Sequence, residues 1–179
     1  MSQHKLFSFV LLSALAGALA FAAAPRAQAA PGNDVVLKAS DISGKIFPDR
    51  VFYRGQVAPV QMRNTGGIRF ADGFYVLAGL VDNSGYSTGV REKYQGYFFT
   101  EVPLEINGQS LKPGAYGIGF VQGSKFIVTD LGSNNLLEIS GAHDAEIKRP
   151  VPLQVLAAPE DGSYRLYLGR DYVTLKRSR

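Results

Sequence analysis

The chain contains no cysteine and no tryptophan, and only two of its 179 residues are histidine. The absence of cysteine excludes disulfide bonds, thiolate metal ligands, cysteine nucleophiles and a lipidated cysteine anchor. One histidine, His4, lies in a segment that we expect to be removed, so we predict no metal and no other cofactor. Charged residues make up 19% of the chain and apolar residues 46%, which is typical of a folded domain rather than a disordered chain.

The N-terminal segment has the features of an export signal. An uncharged apolar run at residues 6–24 follows Lys5, and Ala27-Gln28-Ala29 fits the small-x-small pattern of a cleavage site. We therefore expect residues 1–29 to be a cleaved signal peptide and residues 30–179 to form one domain, periplasmic or secreted. A retained anchor is the alternative, because the run is long enough to span a bilayer. It lacks a basic stop-transfer flank, so we expect no membrane span after cleavage.

The net charge of +4 does not indicate a nucleic-acid partner. Lys5 and Arg26 would leave with the signal peptide and no acidic residue would, so the excess of positive charge falls by two. Nucleic-acid binding needs a clustered basic surface. The one basic cluster, residues 176–179, is interpreted as a solvated tail.

The pattern of turns and short apolar segments predicts an all-β fold. Gly, Pro, Asn and Asp recur about every eight to twelve residues, and the segments between them are β-branched and aromatic. Residues 74–81 are apolar on both alternating faces, which predicts a central strand that is covered on both sides. We expect a mostly antiparallel β-sandwich or β-barrel with at most one short helix. Residues 82–100 fit either a helix or a strand, because Val90, Tyr94 and Phe98 recur at helical spacing while Gly96 favours extension.

Two glycines, Gly117 and Gly119, fall on one face of a predicted strand. Glycine weakens a strand, so two on one face predict close approach by something bulky. A crossing element or a tyrosine ring is one interpretation, and a flat ligand such as a sugar ring is the other. A weak repeat, residues 102–106 and 151–155, further predicts two similar hairpins, one in each layer of a sandwich.

One segment has the pattern of a catalytic serine. Residues 85–89 match G-x-S-x-G with Ser87 at its centre, and Asp130 and His143 follow in the order of the α/β-hydrolases. A serine hydrolase that uses Ser87, Asp130 and His143 is therefore one alternative. That fold needs crossover helices between parallel strands, and this chain offers at most one helix. We expect a protein that is not an enzyme, with Ser87 and His143 outside hydrogen-bond reach.

Aromatic and basic residues cluster in the ambiguous segment. Tyr86, Arg91, Tyr94 and Tyr97 could form a binding platform for a glycan or a peptide. The alternative is that these tyrosines cover the sheet or belong to its core.

Two runs of the sequence resemble those of known proteins. They are the turn and strand at Leu111-Lys112-Pro113-Gly114-Ala115-Tyr116 and the later run Arg149-Pro150-Val151-Pro152-Leu153. With its tyrosine-rich end, the chain resembles a family of small secreted bacterial β-domains that have no assigned activity. The resemblance implies an extracytoplasmic β-domain and no catalytic residues.

These observations favour an exported β-domain that acts by binding or by structural association in the cell envelope or outside it. Its partner is not specified by the sequence. Besides the serine hydrolase, one further alternative is a barrel-type carrier of a small apolar ligand. Such a carrier needs an open interior lined by residues such as Phe74, Val76 and Tyr116.

Overall fold

The structure, a computed structural model, describes residues 33–42 and 46–178, so the predicted signal peptide lies outside the described residues. In chain order its elements are β1 Val35–Lys38, β2 Arg50–Tyr53, β3 Gln56–Arg69, β4 Tyr75–Val81, α1 Thr88–Arg91, β5 Gly96–Thr100, β6 Leu104–Ile106, β7 Gln109–Leu111, β8 Gly114–Val121, β9 Lys125–Thr129, β10 Asn135–Ser140, β11 Ala142–His143, β12 Leu153–Ala157, β13 Ser163–Leu168 and β14 Asp171–Arg177.

The strands form two antiparallel sheets that pack face to face. The first sheet has the order β1-β3-β4-β5-β8-β9-β10, with β2 paired to β3. The second has the order β12-β13-β14-β6-β7, with β11 paired to β14. The predicted antiparallel all-β fold is confirmed, and the architecture is a sandwich.

The main core lies between the two sheets. Side chains two residues apart along a strand point to the same face, so each strand contributes alternate residues to this layer. The first sheet contributes Ile68, Val76, Phe98, Ile118 and Val128, and the second contributes Leu104, Ile106, Leu166, Val173 and Leu175.

A second apolar layer covers the outer face of the first sheet. The β2–β3 hairpin and residues 82–95 fold over this face and bury a cluster that includes Val51, Tyr53, Val60, Leu77, Val81, Tyr86, Val90 and Tyr94. As predicted, β4 is therefore covered on both sides. The ambiguous segment contains both kinds of structure, because a single turn of helix, α1, precedes β5.

The paired glycines of β8 face this outer layer. A Cβ atom at Gly117 would lie 2.6 Å from the Tyr53 ring and 2.9 Å from the Tyr94 ring. A Cβ atom at Gly119 would lie 2.7 Å from the carbonyl oxygen of Lys93. The predicted close approach is confirmed, and tyrosine rings and a crossing backbone segment cause it.

The long strand β3 is interrupted by a bulge. Its first part pairs with β2 and its last part with β1 and β4, and the register with β4 shifts between Val60 and Thr65. The Gln61 amide donates a hydrogen bond to the Val81 carbonyl (3.2 Å), and the Thr65 hydroxyl donates one to the Met62 carbonyl (2.9 Å). Extra residues in one strand bend it and re-aim side chains. Residues 61–64 therefore leave the regular ladder near the edge of the first sheet.

Candidate functional site

Among the described residues, no hydrogen bond joins Ser87 to Asp130 or to His143. Ser87 is exposed and precedes α1, and its hydroxyl makes no capping hydrogen bond to that helix. The Asp130 carboxylate accepts hydrogen bonds from the backbone N–H groups of Gly132 (2.9 Å) and Asn134 (2.8 Å). The side-chain amide of Asn134 also donates a hydrogen bond to the carboxylate (2.8 Å), and this bond, together with the backbone bonds, holds the pKa of Asp130 below its usual value. The carboxylate therefore stabilises its own turn.

The described histidine, His143, contacts a different carboxylate. Its Nδ1 lies 2.8 Å from Oδ1 of Asp171, and the Ser124 hydroxyl donates a hydrogen bond to the same oxygen (2.9 Å). A triad for acyl transfer needs the imidazole between the serine and the carboxylate. Here the carboxylate lies between serine and imidazole, so the histidine cannot take the Ser124 proton in this arrangement. The pairing of β11 with β14 creates this cluster, and no local sequence pattern signals it.

The tyrosines of the predicted platform are used mostly in packing. Tyr94 stacks on Tyr53 with ring centroids 3.6 Å apart, and Tyr86 meets Tyr94 edge-on at 5.4 Å. Both Tyr86 and Tyr94 are buried, and burial raises the pKa of each phenol. Tyr97 is half-buried and Arg91 is exposed. In this arrangement only Arg91 and part of Tyr97 offer a surface to a ligand.

The residues named for an open interior do not line one. Val76 and Tyr116 belong to the packed core between the sheets. Phe74 is exposed instead, and the Arg177 guanidinium lies 5.8 Å from the centre of its ring.

A cleft of about 690 Å³, which we call the end cleft, lies where the described chain begins and ends, between Asp34, Asp72, Asp161 and Arg177. Several of its charged groups bind each other or the wall. Arg177 forms a 2.8 Å ion pair with Asp72, which holds the pKa of that carboxyl below its usual value. Asp34 accepts a 2.7 Å hydrogen bond from the Tyr164 hydroxyl. These pairs connect strand ends, and they leave fewer groups to bind a ligand.

A second depression lies between two edge strands, and we call it the edge groove. It has a volume of about 400 Å³. Its lining consists of residues 36–39 at the end of β1, residues 63–66 within β3 and residues 151–156 at the start of β12. Because β1 and β12 are each paired on one side only, the groove lies where the sandwich is open. The floor is tight, since a Cβ atom at Gly66 would lie 3.2 Å from the backbone nitrogen of Val155.

The chemistry of the edge groove is amphipathic. Most of its lining is apolar: Val36, Leu37, Ala39, Val151, Pro152, Leu153, Val155 and Leu156. Its charged residues are Lys38 and Arg63, and no acidic residue lines it. Neither cationic side chain has a hydrogen bond or an ion pair with another residue in the described part of the chain. Gln154 also lines the groove, and its buried amide nitrogen has no hydrogen-bond partner there.

Within residues 33–42 and 46–178, no three His, Asp or Glu side chains form a group that could hold a metal ion. Over the same residues, no helix has the length and the apolar character needed to cross a membrane.

The fold and the groove define the class of this chain: an all-β antiparallel sandwich with an apolar groove at one open edge. Comparison with known proteins gives no match, since no family model fits the chain and no curated protein or solved structure is significantly similar to it. The site itself is therefore the feature that indicates a function.

Proposed function

We propose that the protein is an exported binding domain of the cell envelope, and that its edge groove holds an amphipathic molecule with an apolar chain and an anionic head. The observation that carries this proposal is an apolar lining that contains two cations, no acidic residue, and no ion-pair partner for either cation among the described residues. Export is inferred from residues 1–29, which have the pattern of a signal peptide.

The apolar part of the ligand would lie against the two edge strands. Leu37, Leu153 and Val155 are buried, while Val151 and Leu156 at the rim are about 40% exposed. Covering such exposed carbon with a ligand chain removes it from water, at about 25 cal/mol per Å². Small-molecule sites are typically concave and mostly apolar, with volumes from about 300 Å³ upward. The groove meets both conditions.

The head group would lie beside Lys38 and Arg63. A guanidinium offers a planar fork of donors that matches a carboxylate, and an ammonium adds a point charge. Both side chains are exposed and lack partners among the described residues, so binding an anion breaks no internal ion pair. A cationic head would be repelled by the same two groups. The groove therefore selects anions among amphipathic molecules.

Decanoate is a suitable probe, measured by isothermal titration calorimetry below the concentration at which it forms micelles. We expect saturable binding of decanoate, weaker binding of decanol, and no binding of decyltrimethylammonium. Arg63→Gln should weaken decanoate binding about tenfold, because a charge-assisted hydrogen bond contributes about 1.5 kcal/mol or more. The matched control is Lys112→Gln, which removes an exposed cation that does not line the groove.

The apolar half of the site has its own variant. Leu156→Ser places a hydroxyl at the exposed rim and should weaken the binding of decanoate and decanol alike. Equal affinity of the wild type for decanoate and decyltrimethylammonium would contradict the proposal. So would an affinity for decanoate that neither Arg63→Gln nor Leu156→Ser changes.

Edge strands also pair with other chains, so a second copy is the competing occupant of the groove. Analytical ultracentrifugation distinguishes the two. A monomer at micromolar concentration that binds decanoate supports the proposal. A dimer that Leu156→Ser dissociates, and that does not bind decanoate, overturns it.

A further inference from the structure

The outer face of the β2–β3 hairpin is apolar and cationic. Phe52 and Val57 lie opposite each other in the ladder. They are 56% and 53% exposed, more than any other large apolar side chain in the described ranges. The other face of the hairpin is buried in the outer layer. Single exposed apolar side chains are common, whereas adjoining ones form a contiguous patch of the kind that marks interaction sites.

Arginines flank the apolar pair. Side chains two apart along a strand share a face, so Arg50 lies beside Phe52, and exposed Pro59 lies opposite Arg50. On the far side, Arg54 begins the turn with Gly55, and both have positive φ (46° and 77°). Such a two-residue turn gives a tight hairpin end.

No acidic side chain in the described part of the chain forms an ion pair with the cations of this face. Arg50 makes no ion pair or hydrogen bond with its side chain to the described residues. The Arg54 guanidinium donates one 3.2 Å hydrogen bond to the neutral Gly132 carbonyl and keeps its charge exposed. The nearest acidic residue in the sequence is Asp49, which precedes β2. The face therefore combines two cations with an apolar centre.

We propose that this hairpin face docks the protein onto an anionic lipid surface. Peripheral proteins bind such surfaces by burying exposed apolar side chains at the headgroup boundary while basic residues attract anionic lipids. Phe52 and Val57 supply the apolar contact, and Arg50 and Arg54 supply the charge complementarity. The surface is distinct from the edge groove, and the proposal does not rest on the groove ligand.

The first experiment is sedimentation with lipid vesicles. The full chain as recovered from cells is mixed with vesicles of phosphatidylcholine alone, or of phosphatidylcholine with phosphatidylglycerol. We expect binding only when phosphatidylglycerol is present, and weaker binding as salt is added. Arg50→Gln and Arg54→Gln should each reduce the affinity about fivefold. Phe52→Ser with Val57→Ser should reduce it at least tenfold.

Matched controls separate this face from a general effect. Lys112→Gln and Lys148→Gln remove exposed cations elsewhere, and Leu136→Ser removes an exposed apolar side chain elsewhere. These three variants should bind vesicles like the wild type. All hairpin variants should keep the urea midpoint and the decanoate binding of the wild type, so that a loss of lipid binding cannot be due to misfolding.

A fluorescent probe on the hairpin face reports lipid contact at that face. Its signal therefore does not depend on whether residues 1–32 also bind lipid. The chain has no tryptophan, so Phe52→Trp introduces the only indole, whose emission can be excited selectively over that of the tyrosines. Its emission should shift to shorter wavelength with anionic vesicles, while the indole of the control Leu136→Trp should not respond. An unchanged emission of Phe52→Trp, or an equal shift with neutral vesicles, would overturn the proposal. So would a dimer in the absence of lipid that Phe52→Ser dissociates, because a second copy would then cover the face.

Discussion

Replacing Gly119 by alanine tests the packing of the outer layer with a single added carbon. The new Cβ atom would lie 2.7 Å from the Lys93 carbonyl oxygen and 3.2 Å from Cδ of Gln95. Contacts below about 3 Å must be relieved by movement, and the nearest neighbour is backbone. Gln95 cannot move freely, because its side chain exchanges hydrogen bonds with the backbone of Phe120 at 2.8 and 3.1 Å. The added methyl group therefore has to displace residues 93–95 from β8.

Overpacking of this kind costs about 1–3 kcal/mol. With a urea dependence of about 2 kcal/mol per M, the midpoint of unfolding should fall by about 0.5–1.5 M. The measurement is urea unfolding followed by circular dichroism. Gly89→Ala is the matched control, because no atom lies within 4 Å of its added Cβ and the residue belongs to α1. Its midpoint should stay equal or rise, since alanine is the better helix former.

Equal midpoints for Gly119→Ala and Gly89→Ala would refute the reasoning. The backbone around Lys93 could then move away from β8 without lowering the free energy of unfolding. The outer layer would therefore not be closely packed at this point. Gly119→Val gives a second reading on the same contact, because its two further methyl groups should lower the midpoint beyond that of the alanine variant.

Three further predictions follow from the same layer and from the sequence. Thr129→Val removes the hydroxyl that lies 2.8 Å from the Tyr53 hydroxyl inside the core, so it should lower the free energy of unfolding by about 1–3 kcal/mol in urea titrations. Burial raises the pKa of Tyr94 above the unfolded value of 10, so the stabilisation that depends on the neutral phenol should be fully present below pH 10 and should be lost as pH rises beyond 10. Tyrosinate absorbance should then increase together with the loss of circular dichroism. In Tyr94→Phe, the free energy of unfolding should fall less steeply with pH. Intact mass of the exported protein should show a chain that begins near Ala30, and a full-length species in the membrane would contradict the signal-peptide prediction.

Much of the fold could be predicted because its signals are local. The strand at residues 74–81 is apolar on both faces, which indicates burial on both sides, and the structure covers β4 with two layers. The dipeptide Asp72-Gly73 is a sequence typical of hairpin turns, and it joins β3 to β4 with Gly73 at φ 90°. Gly117 and Gly119 indicated a close neighbour because a strand gains nothing from glycine itself. Each of these inferences needed only a few adjacent residues.

The repeat shows where local signals fail. Residues 102–106 and 151–155 are similar, and the sequence predicts one hairpin in each layer. In the structure both contribute to the second sheet, as β6 and β12. The chain after β6 forms β7 and then crosses to the first sheet as β8, whereas the chain after β12 returns beside it as β13. Which sheet a strand joins depends on distant partners, so the prediction of separate layers was wrong.

The site was missed for a similar reason. Lys38, Arg63 and Leu156 are unremarkable in the sequence, since each belongs to a different strand region and no motif connects them. They line one groove only because β1 and β12 are edge strands that meet across the open side of the sandwich. The His143–Asp171 contact likewise follows from the pairing of β11 with β14. Such sites could be predicted only by first predicting strand order.

The bulge in β3 explains how one strand can serve two apolar layers. In a regular strand, residues an even number apart share a face, so Val60 and Ile68 would point to the same side of the first sheet. Val60 instead packs in the outer layer, and Ile68 packs in the main core between the sheets. The register shift between Val60 and Thr65 changes the face of the strand between these two positions. The extra residues interrupt the ladder locally, and in exchange the first part of β3 closes the outer layer while its last part closes the main core.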